Sequence, residues 1–378
     1  MKQIYLDNSA TTLPYDEVVN VVCESMKTLY ANPSSLHKKG KEAEEKVNVA
    51  RKYIAQKINA KEDELYFTSG GTESNNIAIL GAARKNKRNG NKIITTRVEH
   101  PSVLECFKAL SLEGFECVYL DVDEEGIVDI NQLKNEIDKN TVLVSIMAVN
   151  NETGAKMPIE KIGEIIKEKN PDCLFHTDCV QAFGKIQIDV EKSKIDFLSV
   201  SAHKIGGPNG VGALYIRKKI NILSPSYGGG QEKGIRSGTV NVSGILGFEK
   251  ACEITFSKNT NHKELKEYFL NEILKLKNIS VNSPKESVDN ILNVSFVGVK
   301  SEVLLHVLES KGIYVSSGSA CSSHKKEAGY VLSAMGRKPN EQDSAIRFSF
   351  GPDLTKEDVD YVLDVLNKEI PVLRKIMR

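Results

Sequence analysis

Five short polar segments of this chain each follow a run of β-forming residues, and they carry side chains that could take part in catalysis. They are Ser69-Gly70-Gly71-Thr72, Glu99-His100, Asn150-Asn151-Glu152, Asp178 with Gln181, and Ser201-Ala202-His203-Lys204. Ligands of an open parallel sheet bind beyond the carboxyl ends of its strands. A set of polar segments at that rim therefore predicts a binding site.

Lys204 stands soon after the predicted strand Phe197–Ser201. A lysine at the end of a buried strand is costly unless it is paired or used covalently. Lysine amines form Schiff bases with carbonyl compounds, which is one such use. A lysine that simply emerges at the surface is the alternative. Ser201 and His203 beside it could donate hydrogen bonds to a phosphate.

The segment Ser69–Thr72 joins a predicted strand to a predicted helix. Its glycines let the backbone approach a phosphate, and the helix N-terminus favours negative charge. A tight turn with threonine as the helix N-cap is the alternative. The segment matches neither G-x-x-x-x-G-K-[ST] nor G-x-G-x-x-G, so a nucleoside triphosphatase or a dinucleotide enzyme is disfavoured.

Three further side chains have both a chemical and a structural interpretation. Asp178 could pair with a protonated ring nitrogen, with Gln181 donating to a ring oxygen, or it could cap the following turn. His100, before Pro101, could stack on a ring and relay protons near neutral pH, or could be structural. Arg347 suits bidentate binding of a carboxylate, with a structural ion pair as the alternative.

Cys321 is the cysteine whose neighbours suggest reactivity. The chain has seven cysteines, an odd and scattered set that argues against a disulfide framework. Cys321 lies in a Ser/Gly-rich stretch before His324-Lys325-Lys326, and nearby cations favour a thiolate. The other six lie mostly in apolar patterns typical of a core. The spacing of Cys173, His176 and Cys179 is better explained by a buried strand, and no metal site is predicted.

The elements that position these residues are strands alternating with helices from residue 60 to about 220. This alternation predicts a mostly parallel sheet covered by helices on both faces. After about Val240 long helical stretches precede a mixed pattern, which predicts an α+β lobe with its own core. We expect a large domain of residues 14–250 and a small domain of residues 1–13 and 251–378 that carries Cys321.

Composition excludes several classes of partner. The chain has 378 residues, enough for a large core and a second lobe, and its net charge of +1 gives no strong field to recruit nucleic acid or a membrane surface. Its apolar runs are shorter than a membrane span, and the N-terminus lacks the features of a signal peptide. We expect a cytoplasmic protein that contacts neither nucleic acid nor a membrane directly.

Segments spread in order over essentially the whole chain resemble the cysteine desulfurases, in the class V branch of fold-type I pyridoxal-phosphate enzymes. They are Tyr5–Thr12, Asn32–Ser35, Phe67–Ser74, Val98–His100, Val149–Gly154, His176–Asp178, Ser201–Lys204, Arg236–Thr239, Ser316–Cys321 and Ile346–Gly351. The segment Ser316-Ser-Gly-Ser-Ala-Cys321 is the most specific, because it separates this subfamily from other class V enzymes.

The resemblance implies a fold-type I transferase that uses pyridoxal 5′-phosphate to take sulfur from L-cysteine. The products are L-alanine and a persulfide on Cys321. Lys204 is implied as the Schiff-base lysine and His100 as the ring-stacking acid–base residue. Asp178 is implied as the partner of the pyridine nitrogen and Gln181 as the donor to the ring oxygen.

The resemblance also implies the groups that hold the phosphate and the substrate. Gly71, Thr72, Ser201 and His203 are implied as the phosphate cradle. Asn151 and Arg347 are implied to orient the substrate, with Asn151 also touching the cofactor and Asn32 helping to hold the substrate carboxylate. Thr239 is implied to reach the phosphate of a partner subunit, so we expect a homodimer with two shared sites.

Two departures from the family pattern concern the phosphate loop and the acceptor. The family often has Gly-Ala-Thr where this chain has Gly70-Gly71-Thr72. The stretch after Cys321 differs from that of the housekeeping iron–sulfur-assembly members, and the chain stops at Arg378 without their extended tail. The stretch after Cys321 is closer to that of bacterial members that supply sulfur for tRNA thiolation. The expected sulfur acceptor is an iron–sulfur scaffold protein or a tRNA-thiolation enzyme.

Two other functions remain open from the sequence. One is another pyridoxal-phosphate reaction on the same fold, such as transamination or selenocysteine cleavage. Release of alanine with sulfide from cysteine would distinguish it. The other is an inactive relative that serves as an interaction scaffold. The presence of Lys204, Asp178, His100 and Cys321 together argues against it, and a yellow purified protein would exclude it.

Overall fold

The computed structural model describes residues 3–258, 260–317 and 329–377, so Cys321 lies outside the described residues. The helices are α1 Asp16–Thr28, α2 Lys38–Gln56, α3 Gly71–Asn86, α4 Pro101–Leu112, α5 Ile130–Glu136, α6 Ile159–Lys169, α7 Val242–Ser257, α8 His262–Ile273, α9 Ser301–Ser310, α10 Tyr330–Ala334, α11 Pro339–Gln342 and α12 Lys356–Ile376.

The strands begin with β1, which is Ile4–Tyr5. The others are β2 Leu65–Thr68, β3 Lys92–Thr96, β4 Glu116–Leu120, β5 Thr141–Ser145, β6 Leu174–Asp178, β7 Phe197–Ser201, β8 Gly212–Ile216, β9 Ile279–Val281, β10 Ile291–Phe296, β11 Ile313–Tyr314, β12 Ser316–Ser317 and β13 Ala345–Ser349.

A central sheet of seven strands, counted over the described residues, has the order β2-β8-β7-β6-β5-β3-β4. The strands from β7 to β4 are parallel, and β8 runs antiparallel to both of its neighbours. Every residue of β3, β5, β7 and β8 is buried. This burial explains why apolar residues occur on both faces of these strands. The predicted α/β fold with a mostly parallel sheet is confirmed.

The strand β5 is shorter than the almost continuously apolar run Thr141–Val149 in which it lies. The strand ends at Ser145, although the following residues stay buried. Their amides turn to the end of the neighbouring strand, since Ile146 N donates to His176 O and Ala148 N donates to Asp178 O. Burial alone therefore did not mark the end of the strand.

Helices α1 and α2 were not predicted by the strand–helix alternation, which begins only near residue 60. The buried face of α2 explains the weak signal, because much of it consists of small residues. Its buried positions are Gly40, Ala43, Val47, Ala50, Ile54 and Ala55. Small residues on the inner face give little hydrophobic contrast with the polar outer face.

A second core lies apart from the central sheet. Its members include Ile4 and Leu6 near the N-terminus and Phe348 on β13, around the sheet of order β12-β13-β10-β9. Residue 250 falls inside α7, whose buried Ala251 and Cys252 belong to the core of the central sheet. We keep the division into two domains as a proposal, with the passage between them after α7.

Within the described residues, no helix is both long enough and apolar enough to cross a membrane.

Candidate active site

A cavity of about 380 Å³ lies at the carboxyl ends of the parallel strands. It is lined by Ser9, Ala10, Gly71, Thr72, Asn75, His100, Ser102, Met147, Val149, Asn151, Asp178, Val180, Gln181, Ser201, His203, Lys204 and Arg347. The size is within the range of small-molecule sites. The structure thus brings together residues from all five polar segments and adds Arg347 from the second lobe.

Lys204 ends the short 3₁₀ turn that follows β7. Its Nζ donates to the backbone carbonyls of Ser9 and Ala10, the latter at 2.8 Å. Thr12 fixes this crossing, because its Oγ1 donates to His203 O at 2.8 Å. Lys204 is therefore held inside the molecule and is not a lysine that merely emerges at the surface.

Asp178 ends β6 and is 5% exposed. Its Oδ2 accepts a hydrogen bond from Asn75 Nδ2 at 2.7 Å, and its Oδ1 accepts one from Val180 N at 2.9 Å. The second contact is the turn cap that the sequence left as the alternative. A carboxylate can accept about four hydrogen bonds, so both contacts leave capacity for a donor in the cavity.

His100 caps α4, which begins at Pro101. Its Nδ1 accepts from Ser102 N at 3.2 Å, so the neutral ring carries its proton on Nε2. Water reaches the His100 ring from the open cavity, but protein surrounds the ring on its other sides. Burial lowers the pKa of His100; Asp178 opposes this shift and Lys204 adds to it. The imidazole is thereby kept neutral near pH 7.

The predicted phosphate cradle lies where α3 meets β7. The helix begins at Gly71 with Gly70 as its N-cap, so the alternative that Thr72 is the N-cap is wrong. The first amide groups of a helix lack partners within the helix and attract anions. Ser201 is buried at the end of β7, and burial lowers the pKa of His203 to about 4, with Lys204 and Lys185 adding to the shift.

Gly71, where the family often has alanine, is explained by its neighbour. A Cβ atom built on Gly71 would lie 2.5 Å from Cγ2 of Val180, far inside contact distance. The preceding Gly70 has φ +148°, a backbone conformation that residues with side chains rarely adopt. Steric constraints thus explain why glycine stands at both positions in this chain.

Arg347 on β13 is 7% exposed and holds the second lobe against the cavity. Its Nη2 lies 2.7 Å from Asp7 Oδ1, and its Nη1 donates to Asn151 O at 3.0 Å. Its Nε is buried and has no hydrogen-bond partner among the residues that the structure describes. The Arg347 side chain therefore forms the structural ion pair with Asp7 and still has an N–H group, on Nε, without a partner among these residues.

Several polar atoms of the cavity lining lack partners within the described ranges. They are Ser9 Oγ, Asn75 Oδ1, Asn151 Oδ1 and Arg347 Nε. Buried polar groups in folded proteins are nearly always hydrogen-bonded, so a cluster of unpaired ones indicates that a ligand completes it. Together with a lysine, a carboxylate and a helix N-terminus, this set of donors and acceptors fits pyridoxal phosphate.

Asn32 and Thr239 are not brought to the cavity of their own chain. Asn32 lies before α2, where its Oδ1 accepts from Ser34 N at 3.0 Å, and its side chain is exposed. Thr239 is also exposed. Neither lines the cavity. The roles that the resemblance implies for these two residues therefore remain predictions.

Most cysteines within the described ranges are poor nucleophiles. Burial raises the pKa of Cys106 and Cys173 to about 12 and that of Cys117 to about 11. Burial also raises the pKa values of Cys179 and Cys252. Because the thiolate is the reactive form, these thiols are inert near neutral pH. Cys23 on α1 is the exception to the expectation of core cysteines, since it is exposed.

The spacing of Cys173, His176 and Cys179 reflects a buried strand. His176 Nδ1 lies 2.8 Å from Ser145 Oγ, and its Nε2 lies 3.1 Å from Ser199 Oγ. Both ring nitrogens thus have a hydroxyl partner. Over the ranges that the structure describes, no cluster of three potential metal ligands is found.

Three residues at the site were missed by the sequence reading. Asn75 holds Asp178, Asp7 pairs with Arg347, and Ser9 presents its carbonyl to Lys204. Asn75 follows Thr72 by three residues and therefore lies near it on the same helix face. That spacing was the available signal for Asn75. Asp7 and Ser9 lie in a quoted segment but had no assigned role.

Comparisons with known proteins cover the whole chain. The family model described as Aminotransferase class-V matches residues 4–362. A protein named cysteine desulfurase IscS, from Clostridium botulinum, is 42% identical over 383 residues, covering 99% of this chain and 96% of its own.

Solved structures are similar in fold as well. A structure titled NifS-like protein is 38% identical, has a TM-score of 0.93, and covers 98% of this chain and 100% of its own. A structure titled SspA in complex with cysteine is 33% identical with a TM-score of 0.84, covering 93% of this chain and 99% of its own.

Proposed function

Because the chain belongs to the cysteine desulfurase family of the class-V aminotransferases, we propose that it removes sulfur from L-cysteine and carries it as a persulfide on Cys321. One observation carries the proposal at the level of the site. A single cavity joins Lys204, His100 and Asp178 with Arg347, which has an unpaired buried N–H.

The cavity residues would hold pyridoxal phosphate by the following contacts. Lys204 would bind it covalently, and Asp178 would face its pyridine nitrogen. Ser201, His203 and the first turn of α3 would hold the phosphate. When bound, the cofactor supplies an electron sink for the carbon of the substrate.

Arg347 and Asn151 are proposed to orient the substrate. The guanidinium has five N–H donors, of which Asp7 and Asn151 O each take one. A substrate carboxylate can bind the remaining donors, including Nε, without breaking the ion pair. Lys204 moves protons at the substrate carbon, and His100 holds a proton on Nε2 at the face of the cavity.

The sulfur-transfer step is proposed for the thiolate of Cys321. It attacks the substrate sulfur, and the S–S bond forms as the C–S bond breaks. The electron pair of the broken bond goes to the carbon, which takes a proton to become alanine. The displaced sulfur remains on the protein as Cys321–S–S⁻, so no external oxidant or reductant is needed.

Residues on both sides of Cys321 in the sequence lie beside the cavity. Ser316 pairs with Arg347 across β12 and β13. Tyr330 OH donates to Glu99 O at 2.7 Å, directly before His100. The nearest described segments of the chain are thus anchored next to the substrate-binding arginine and the ring-stacking histidine, which supports the role of Cys321.

A homodimer with shared sites is proposed from the surface. Large apolar side chains are strongly exposed, including Leu36 at 91% and Tyr227 at 94%. We propose that a second copy covers these side chains. Arg236 Nε lies 3.2 Å from Glu73 Oε1 on α3, so the loop that carries Thr239 lies at the edge where the phosphate cradle opens. A second copy would then supply Thr239 and Asn32.

The acceptor of the sulfur is proposed to be a protein, either an iron–sulfur scaffold or a tRNA-thiolation enzyme. The name IscS belongs to the relatives, and it guides the choice of baits. Pull-down of the cysteine-treated enzyme with persulfide trapping on the bound partners identifies which class receives the sulfur. Transfer to neither class contradicts this part of the proposal.

Mass spectrometry with a matched cysteine variant tests the function. After brief exposure to L-cysteine, wild type is expected to gain one sulfur on the peptide that contains Cys321. Cys321→Ser should retain the cofactor but form neither persulfide nor alanine, since a hydroxyl cannot replace the thiolate. Cys23→Ser, which removes the exposed thiol of α1, should behave like wild type. Alanine release by Cys321→Ser at the wild-type rate would contradict the proposal.

A further inference from the structure

A second cavity, of about 130 Å³, adjoins the substrate cavity at Lys204. Lys204 lines both cavities, and Lys185 lines the second one. Lys185 Nζ donates to Gln181 Oε1 at 2.8 Å, and Gln181 lines the substrate cavity. Lys185, which lines the second cavity, therefore contacts Gln181, which lines the substrate cavity.

The amide of Gln181 is held at both of its ends. Its Nε2 donates to Ser9 O at 2.8 Å, while its Oε1 accepts from Lys185. A carbonyl can only accept, and an ammonium can only donate, so the two partners agree on one orientation of the amide. Ser9 O accepts a hydrogen bond from one of the two N–H groups on Nε2. In this orientation the second N–H group is available to donate to a ligand.

The same carbonyl connects Gln181 with the lysine at the centre of the site. Ser9 O accepts from Lys204 Nζ as well as from Gln181 Nε2. A continuous set of hydrogen bonds thus runs from Lys185 through Gln181 and Ser9 to Lys204. Gln181 is 4% exposed, so an unpaired Oε1 would be costly and would favour rotation of the amide.

We propose that Lys185 is a positioning residue, which fixes the Gln181 amide so that Nε2 donates to the ring oxygen of pyridoxal phosphate. This inference rests on the proposed function, because the ring oxygen belongs to the cofactor. The cation also polarises the amide and strengthens Nε2 as a donor. Lys185 acts through Gln181 and does not itself touch the substrate.

The electrostatic setting of Lys185 supports a specific role. Burial lowers its pKa to about 7, and the positive charges of Lys204 and Arg347 add to the shift. A lysine kept in such surroundings is more common at functional sites than elsewhere. The other charged or titratable groups around it are His203, Lys258, His262 and Asp289. A neutral amine still carries N–H donors, so the contact with Gln181 persists through this titration.

The test compares two lysine variants of the cofactor-loaded, full-length enzyme without substrate. The pH midpoint of its visible absorbance reports the proton shared by the ring oxygen and the Lys204 nitrogen. Lys185→Met weakens the donor to that oxygen through Gln181, so the midpoint should rise by about one unit, a tenfold change in the equilibrium. Lys258→Met removes a cation from the same cavity, but its Nζ bonds to Asp353 at 3.1 Å, and its midpoint should stay unchanged.

A double variant separates positioning from a general charge effect. In the Gln181→Ala background, Lys185→Met should shift the midpoint no further, because the residue through which it acts is gone. An unchanged midpoint in Lys185→Met, or an equal further shift in the double variant, would overturn the proposal.

A conservative variant keeps the test decisive if Lys185→Met does not fold. Lys185→Arg retains donors for Oε1 and should keep the wild-type midpoint, whereas a shift as large as that of Gln181→Ala overturns the proposal. Wild type that binds no cofactor, or forms no alanine, refutes the proposed function instead. Wild type that does both, with an unshifted Lys185→Met, refutes only the role of Lys185.

Discussion

Replacing Arg347 by lysine separates its two structural contacts from its proposed role in substrate binding. Lysine keeps the positive charge beside Asp7 but loses the planar set of N–H donors. In the structure, Nη1 and Nη2 already serve Asn151 O and Asp7, and the buried Nε has no partner among the described residues. The substrate carboxylate is expected to use that unpaired N–H.

The size of the effect follows from the lost hydrogen bond. A hydrogen bond to a charged group contributes about 1.5–3 kcal/mol. At about 1.4 kcal/mol per factor of ten, Arg347→Lys should lower kcat/KM for L-cysteine roughly 10-fold to 150-fold. The assay is alanine formation as a function of cysteine concentration. Absorbance titration with cysteamine, which lacks the carboxylate, should give the same dissociation constant for variant and wild type.

Arg217→Lys is the matched control. Arg217 also forms ion pairs, with Glu191 Oε2 at 2.8 Å and Asp196 Oδ1 at 3.4 Å, but it does not line the substrate cavity. Its replacement should lower the free energy of unfolding and leave kcat/KM unchanged. If Arg347→Lys behaved in the same way, losing stability but no catalytic efficiency, the ion pair with Asp7 would be its whole function.

Three further predictions concern the cofactor, the subunits and pH. Lys204→Ala should lose the covalent attachment of the cofactor, and borohydride reduction of wild type should label Lys204; a label on another lysine would disprove the assignment. Light scattering should show a dimer, and a fully active monomer would refute the shared sites. Burial raises the pKa of Glu99 to about 8, so wild-type stability should fall as the pH rises from the ordinary carboxyl pKa towards 8. Glu99→Gln should lack this loss, and in urea unfolding its advantage should grow by roughly 1.4 kcal/mol per pH unit, whereas a constant difference would contradict it.

The central sheet could be predicted from the sequence because its inner strands are buried on both faces. In β7, for example, Phe197, Leu198 and Val200 place apolar residues on both faces, and the polar residues that follow such strands mark the rim. The partners of the site residues could not be predicted in this way. Asn75 and Asp178 are 103 positions apart, and Asp7 and Arg347 are 340 apart. Local periodicity contains no information on such contacts.

The structural and chemical interpretations of the site residues turn out to be compatible, because they use different atoms. His100 caps α4 through Nδ1 and keeps its proton on Nε2. Asp178 caps a turn through Oδ1 and keeps lone pairs for a cofactor. Arg347 donates to Asn151 O through Nη1, pairs with Asp7 through Nη2 and retains Nε. A buried polar side chain must be held in place before it can act with precision, and structural hydrogen bonds provide that restraint. The informative question at such a position is therefore which atoms the fold leaves unpaired, and at this site they belong to residues that line one cavity.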